Sequence, residues 1–313
     1  MGIPILTIFK NKINMKRLSK LMMVCFMAAV MVMSVGCHKD SISPILPDGV
    51  LSGSFSVSAT QQVHFSQGNL QYQASTNTWR FAEHQYDYVG TQTADDYGYY
   101  GGNVSGSDNR NISSTYSGWI DLFGWGTGGN PTLSSSYSED YGTFVDWGSN
   151  PISNGGNTAN RWRTLTQAEW DYLLYYRTDA SSKYGTGNIN GVGGLIILPD
   201  SWTLPSECSF TSYNPNNYFD WTHNSYTLAQ WAQMEAAGAV FLPAAGFRLG
   251  TNVYYVGEYG GYWSSTPNNE INTFNNEVYA FNMYFDSDLL DAPYYGSRDY
   301  GFSVRPVLDK LIY

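Results

Sequence analysis

The sequence predicts an α+β fold: two helices among short, mostly antiparallel strands and long loops. Three observations lead there. Residues 55–90 alternate apolar and polar side chains at a spacing of two, as half-buried strands do. Two later segments carry the chemistry of helix starts. Residues 91–160 are rich in Gly, Ser, Tyr, Asn and Asp and hold no long periodic run.

Taken in order, Phe55, Val57 and Ala59 fall two apart, as do Val63 and Phe65, and Leu70 and Tyr72. The tripeptide "TNT" then separates Leu70–Tyr72 from a second short strand, Trp79-Arg80-Phe81, and predicts a tight turn. In residues 91–160, Trp119, Phe123, Trp125 and Trp147 imply loops packed by their own aromatic side chains. In "TLTQAEWDYLLYYR", Thr166 and Glu169 have capping-box spacing, and Trp170, Leu173 and Leu174 form one apolar face. In "TLAQWAQMEAAG", Thr227 and Gln230 repeat it; Leu228, Trp231 and Met234 form the buried stripe, and Gly238 is the stop. Residues 185–194, "GTGNINGVGG", read as a flexible turn. Strands are expected at 195–198, 240–242, 253–256, 262–264, 278–285 and 302–307.

The N-terminus reads as an export signal covering residues 1–36. Five basic residues precede an apolar run from Leu21 to Met33, followed by "SVGC" ending at Cys37. The run is short for a membrane span. Cys37 after Gly36 resembles a bacterial lipobox, which implies a lipid on its thiol and attachment to the outer membrane, facing the cell surface. Ser34 stands where that motif usually has Leu. Residues 37–53, with Pro44 and Pro47, read as a lipidated N-terminus and flexible tether. Residues 54–313 read as one ligand-binding domain. Removing residues 1–36 takes away five positive charges and no negative ones, moving the formal charge from −10 to −15. That excludes nucleic acid as a partner. Cys25 lies in the signal and Cys37 carries the lipid, so Cys208 is left without a disulfide partner and reads as a structural thiol.

Four motifs carry a resemblance. "WRTLTQAEWDYL" (162–173), "FLPAAGFR" (241–248), "GYWSST" (261–266) and "GFSVRPV" (301–307) resemble the formylglycine-generating-enzyme branch of the C-type-lectin-like fold. "FSQGNLQY", "WRFAE", "DLFGWGT", "GLIILPDSW" and "AGAVFLPAAG" are more similar still to uncharacterised surface lipoproteins of Gram-negative gut anaerobes. Some of those are variable proteins rewritten by diversity-generating retroelements. The enzymes need a Cys pair just before their last motif. Here the matching "DAPYYGSRDYGFSVR" has none, so the resemblance implies neither a copper site nor enzymatic activity. No cofactor and no metal are expected. "TPNNE" (266–270) matches no calcium-binding lectin loop. "DSDLLD" (286–291) reads as a solvated acidic loop.

The expected ligand face spans residues 250–300. Between Asn268 and Tyr300 lie six Asn, five Tyr, four Asp and two Ser. Tyr gives rigid amphipathic contact area, and Asn and Ser give adaptable hydrogen bonds. The composition also matches what adenine-directed rewriting of Asn codons produces. The contact residues expected are Tyr254, Tyr255, Asn268, Asn269, Asn272, Asn275, Asn276, Asp286, Asp288, Tyr294, Tyr295 and Asp299. The function this implies is adhesin-like binding of an extracellular protein or glycan. Two alternatives stand beside it: an accessory or tip subunit of a surface fibre, and a glycan-active hydrolase using a carboxylate pair such as Glu270 and Glu277.

Overall fold

In the computed structural model, residues 46–89, 108–213, 221–272, 276–286 and 289–310 are described, without the side chains of 108, 271 and 272. Phe55–Ser56 (β1) pairs antiparallel with Gln62–Phe65 (β2), placing Phe55 opposite Val63. Ala59 does not continue the buried row. The Ser58 hydroxyl accepts from the Thr60 and Gln61 N–H groups and turns the chain there, leaving Ala59 exposed. Leu70–Gln73 (β3) and Thr78–Phe81 (β4) form the expected hairpin with Tyr72 opposite Trp79, and Asn77 takes the left-handed turn position (φ 49).

Tyr184–Ile189 (β5) and Val192–Ile197 (β6) form a second hairpin. This corrects the reading of 185–194 as a loose turn. Asn190-Gly191, at φ 51 and 90, makes the tight connection that matches strand twist. The strand glycines leave room for neighbours: a Cβ on Gly194 would lie 2.4 Å from the Leu242 carbonyl oxygen. Ser225–Tyr226 (β7) and Val240–Pro243 (β8) complete a sheet ordered β7-β5-β6-β8. Phe247–Leu249 (β9) and Asn252–Tyr254 (β10) follow. Then come Gly260–Asn272 (β11), Glu277–Phe285 (β12), Leu290–Ser297 (β13), Tyr300–Gly301 (β14) and Val307–Asp309 (β15). They form the sheets β10-β9-β14 and β11-β12-β13, while β15 closes on β2. The strand expected over 302–307 is interrupted. Phe302 and Ser303 make single bridges to Phe123 and Tyr262. Pro306 lacks an N–H, and its carbonyl accepts from Ser66.

Both helices start with the capping box read from the sequence. Gln167–Asp171 (α1) is capped by Thr166 and Glu169, and Leu228–Ala236 (α2) by Thr227 and Gln230. Gly238 follows α2 at φ +99, a backbone angle that favours glycine. Trp231 and Met234 are buried, but Leu228 is exposed, because the first turn of α2 faces solvent. α1 widens into a π-turn over Tyr172–Tyr176. That brings the Tyr175 hydroxyl to β13, where it donates to Leu290 O (3.4 Å) and accepts from Ala292 N (3.2 Å). No helix among the described residues is long and apolar enough to cross a membrane.

The quoted motifs meet inside the body. Tyr262 donates to Pro243 O (2.9 Å), and Asn69 donates to the Tyr262 hydroxyl (3.2 Å). Arg305 donates to Gln85 Oε1 (2.8 Å) and Asn69 Oδ1 (3.3 Å). The indole N–H groups of Trp263 and Trp125 bond Phe123 O and Ser264 O, pinning the 122–127 loop to β11. Arg163 clamps Glu169 with two bonds (2.7 and 2.8 Å) and reaches Asp309 (2.7 Å). A buried polar group needs a partner at a fixed place, and these contacts supply it for Tyr262, Trp263, Trp125 and Arg305.

The tether boundary also moves. Chain contacts group residues from Leu46 onward into one unit. Leu51 is buried in the core, its N–H bonds Phe65 O, and Gly53 O bonds His64. The folded body therefore takes in Leu46 to Gly53, part of the stretch read as tether.

Candidate binding face

The sheet β11-β12-β13 builds the face. Its two sides enter different cores: Tyr262, Met283 and Phe285 pack in one, Trp263 and Ala280 in the other. A sheet gripped on both sides is rigid, so its free end is held in place. Register between β12 and β13 slips between Asn282 and Tyr284, and Pro293 lies in that slip. Proline in a strand is confined to edges and bulges, and β13 is both an edge and bulged. The bulge breaks strict alternation beside it.

Tyr294 and Tyr295 therefore both reach the surface, at 40% and 47% exposure. Tyr294 stacks on Tyr284 (4.8 Å, 28°), Tyr295 meets Tyr279 edge-on (5.3 Å), and Tyr294 and Tyr295 are themselves stacked at 6.2 Å. Tyr284 packs edge-on against Tyr259 (4.6 Å), and Tyr259 lies against Phe247 (5.4 Å). The result is one run of aromatic rings from the edge strand into the body. Burial lifts the Tyr259 hydroxyl well above its ordinary pKa, with the neighbouring Tyr284 adding to the rise.

Phe247, Tyr255, Glu258, Tyr259, Tyr284 and Asp286 line a cleft of about 390 Å³. Tyr255 sits at φ 55, a strained backbone for a bulky side chain. Its carbonyl accepts the Glu258 and Tyr259 N–H groups (3.0 Å each), and its ring stacks on Phe247 (5.9 Å, 19°). Gly246 supports this turn at φ +73, where a Cβ would lie 2.2 Å from Tyr254 O. Gly246→Ala is expected to lower stability by more than ~1 kcal/mol, read as a lower melting temperature.

The expected contact residues separate into groups. Tyr255 and Asp286 line the cleft, and Tyr254 packs on Phe247 beside it (5.4 Å). Tyr294 and Tyr295 form the outer face, and Asn269 and Asn276 are exposed near its far end. Asn268 and Asp299 are corrections. Asn268 is buried and accepts the Glu270 N–H (2.9 Å), closing an irregular turn within β11. Asp299 is buried in the turn between β13 and β14 and accepts from the Ser297 hydroxyl; burial raises its pKa. Short polar side chains in turns bond their own backbone neighbourhood first. Asn272 pairs with Glu277 in the sheet. Asn275, Asp288 and Cys37 lie outside the described residues.

Sequence reasoning missed Phe247, Glu258, Tyr259 and Tyr284. Phe247 was hidden in a scaffold motif. Tyr284 belongs to an apolar strand run, and only its position at the end of that run marks it. Cys208 packs beside the core under α2, with Sγ 3.7 Å from Gln230 O, and its pKa is raised by burial. Among the described residues no group of three or more His, Cys, Asp or Glu could hold a metal ion.

These features define an α+β protein whose rigid sheet carries an aromatic surface. A family model described as "Domain of unknown function (DUF8237)" matches residues 214–307, the part of the chain that builds this face. No curated protein and no solved structure matches the chain.

Proposed function

We propose that the chain is a surface lipoprotein, anchored to the outer membrane through Cys37, that binds an extracellular protein or glycan through the β12–β13 face. The domain is of the C-type-lectin-like type and acts without catalysis. One observation carries this reading: exposed, mutually stacked tyrosines stand at the edge of a sheet that two cores hold in place. Exposed aromatic clusters on a rigid support are what recognition surfaces are made of. The exposed residues Asn269, Asn276, Tyr294 and Tyr295 are those that diversification would alter without touching Trp263, Met283 or Phe285.

The bulge and Pro293 also speak against a fibre subunit growing by strand addition at β13, since both blunt an edge. The test is binding of the mature chain to arrayed glycans and extracellular proteins, repeated with Tyr294→Ala plus Tyr295→Ala. The double variant should lose at least tenfold in affinity while keeping its melting temperature, as expected when anchoring aromatics are cut. Unchanged affinity would remove this face from the ligand.

A further inference from the structure

We propose that the cleft between the 255–259 turn and the end of β12 is a cation pocket, which receives a lysine or arginine side chain of a protein ligand. This inference rests on the binding-face reading above and gives that face a ligand class. Four aromatic rings, Phe247, Tyr255, Tyr259 and Tyr284, and two carboxylates, Glu258 and Asp286, line the cleft, and no basic residue among the described residues does. Ring faces carry negative potential and attract an ammonium or guanidinium within about 6 Å. The carboxylates add charge at the rim, where Glu258 is exposed. The rings are prearranged: Tyr255 and Phe247 are nearly parallel (19°), and Tyr284 crosses Tyr259 at 70°.

Asp286 is placed from two sides, accepting from the Tyr284 hydroxyl and from the Leu289 N–H (2.8 Å). The aliphatic stem of lysine or arginine suits an aromatic-walled cleft, and its charged head suits the rim. A neutral sugar gains nothing from the paired carboxylates beyond hydrogen bonds. The overall negative charge of the chain draws basic partners to it. The exposed Tyr294 stacks on Tyr284, one of the rings that line the cleft. A basic side chain seated here thus places the rest of its protein over the tyrosine face.

The experiment titrates the full mature chain with acetyl-lysine methylamide, acetyl-arginine methylamide, acetyl-norleucine methylamide and tetramethylammonium, followed by NMR. The lysine or arginine probe should bind at least tenfold more tightly than norleucine. Its affinity should fall several-fold in Glu258→Gln plus Asp286→Asn, two near-isosteric changes, and several-fold again in Tyr284→Leu, with melting temperatures recorded for each. Raising salt should weaken it as well. Norleucine binding as tightly as lysine, or affinity unchanged in the carboxylate variant, overturns the proposal. Tetramethylammonium binding more tightly than both basic probes also overturns it, assigning the cleft to a free quaternary cation. If the cation probes fail while Tyr294 and Tyr295 still govern ligand capture, only the ligand class falls. If both fail, the binding-face reading falls with it.

Discussion

Asp200→Ala is expected to destabilise the protein by about 3–5 kcal/mol, the cost of leaving a buried cation without its partner. Arg177 is almost fully enclosed (1% side-chain exposure), and its Nη1 lies 3.2 Å from Asp200 Oδ1. The other hydrogen bond of its guanidinium is a long one to Lys183 O (3.5 Å). Asp200 also accepts from Ser56 and Gln62, at 2.7 Å each. One carboxylate thus ties β1 and β2 to the segment that ends α1. Burial pushes Arg177 down to about 10, so it stays charged at neutral pH. Burial pushes Asp200 up, but the bonds from Ser56 and Gln62 and the Arg177 charge outweigh it and hold its pKa below the ordinary value. A depressed carboxylate stabilises the fold above its unfolded pKa, about 4, and that contribution is lost as pH falls through the folded value. Thermal melts at neutral pH should show Asp200→Ala lower by roughly 10 °C. The gap should narrow below about pH 4. A shift under about 2 °C at neutral pH would refute the account.

The parts of the fold that were legible in the sequence are those set by local chemistry. Thr166 with Glu169 and Thr227 with Gln230 fix helix starts within four residues, so spacing alone reveals them. Tyr72 opposite Trp79 follows from strand alternation across a short turn. What was not legible depends on distant partners. The glycine-rich 185–194 segment becomes a hairpin because Asn190-Gly191 connects two strands that β7 and β8 flank. Composition singled out residues 250–300 but did not say which of them are exposed. Asn268 and Asp299 share residue types with exposed neighbours, yet each is buried and bonds its own turn. The cleft needs Phe247 and Tyr284, from strands far apart in sequence, and no spacing rule joins them. The four resemblance motifs supply scaffold contacts, Tyr262 to Pro243 and Arg305 to Asn69 among them. They could therefore indicate a frame, while the exposed tyrosines Tyr294 and Tyr295 lay between them.

A second large effect is expected from Asp121, and its sign is opposite. Asp121 is fully buried and accepts from Val89 N and Asn109 Nδ2, at 2.8 Å each. Asn109 in return accepts from the Asp121 and Leu122 N–H groups (2.8 and 3.1 Å). This knot joins the two chain ends that flank residues 90–107 to the loop under Phe123. Burial raises the Asp121 pKa to about 7, although the bonds from Asn109 and Val89 pull it down. A raised carboxylate favours the fold most below the unfolded pKa, near 4, and that stabilisation declines until pH passes about 7. The slope approaches 1.4 kcal/mol per pH unit, so roughly 2–3 kcal/mol should go between pH 5 and 7. Asp121→Asn cannot ionise, so denaturant titrations from pH 5 to 8 should lack this slope. The variant should be weaker at pH 5, where its amide N–H₂ faces one of two donors, and should approach the parent at pH 8. Parallel curves for the two proteins would show that Asp121 does not change protonation in that range. The acid-side loss belongs chiefly to Asp200; Asp309, whose pKa Arg163 also holds low, is exposed and adds little. The neutral-side loss belongs to Asp121, and the two windows are separate enough to be measured on one protein.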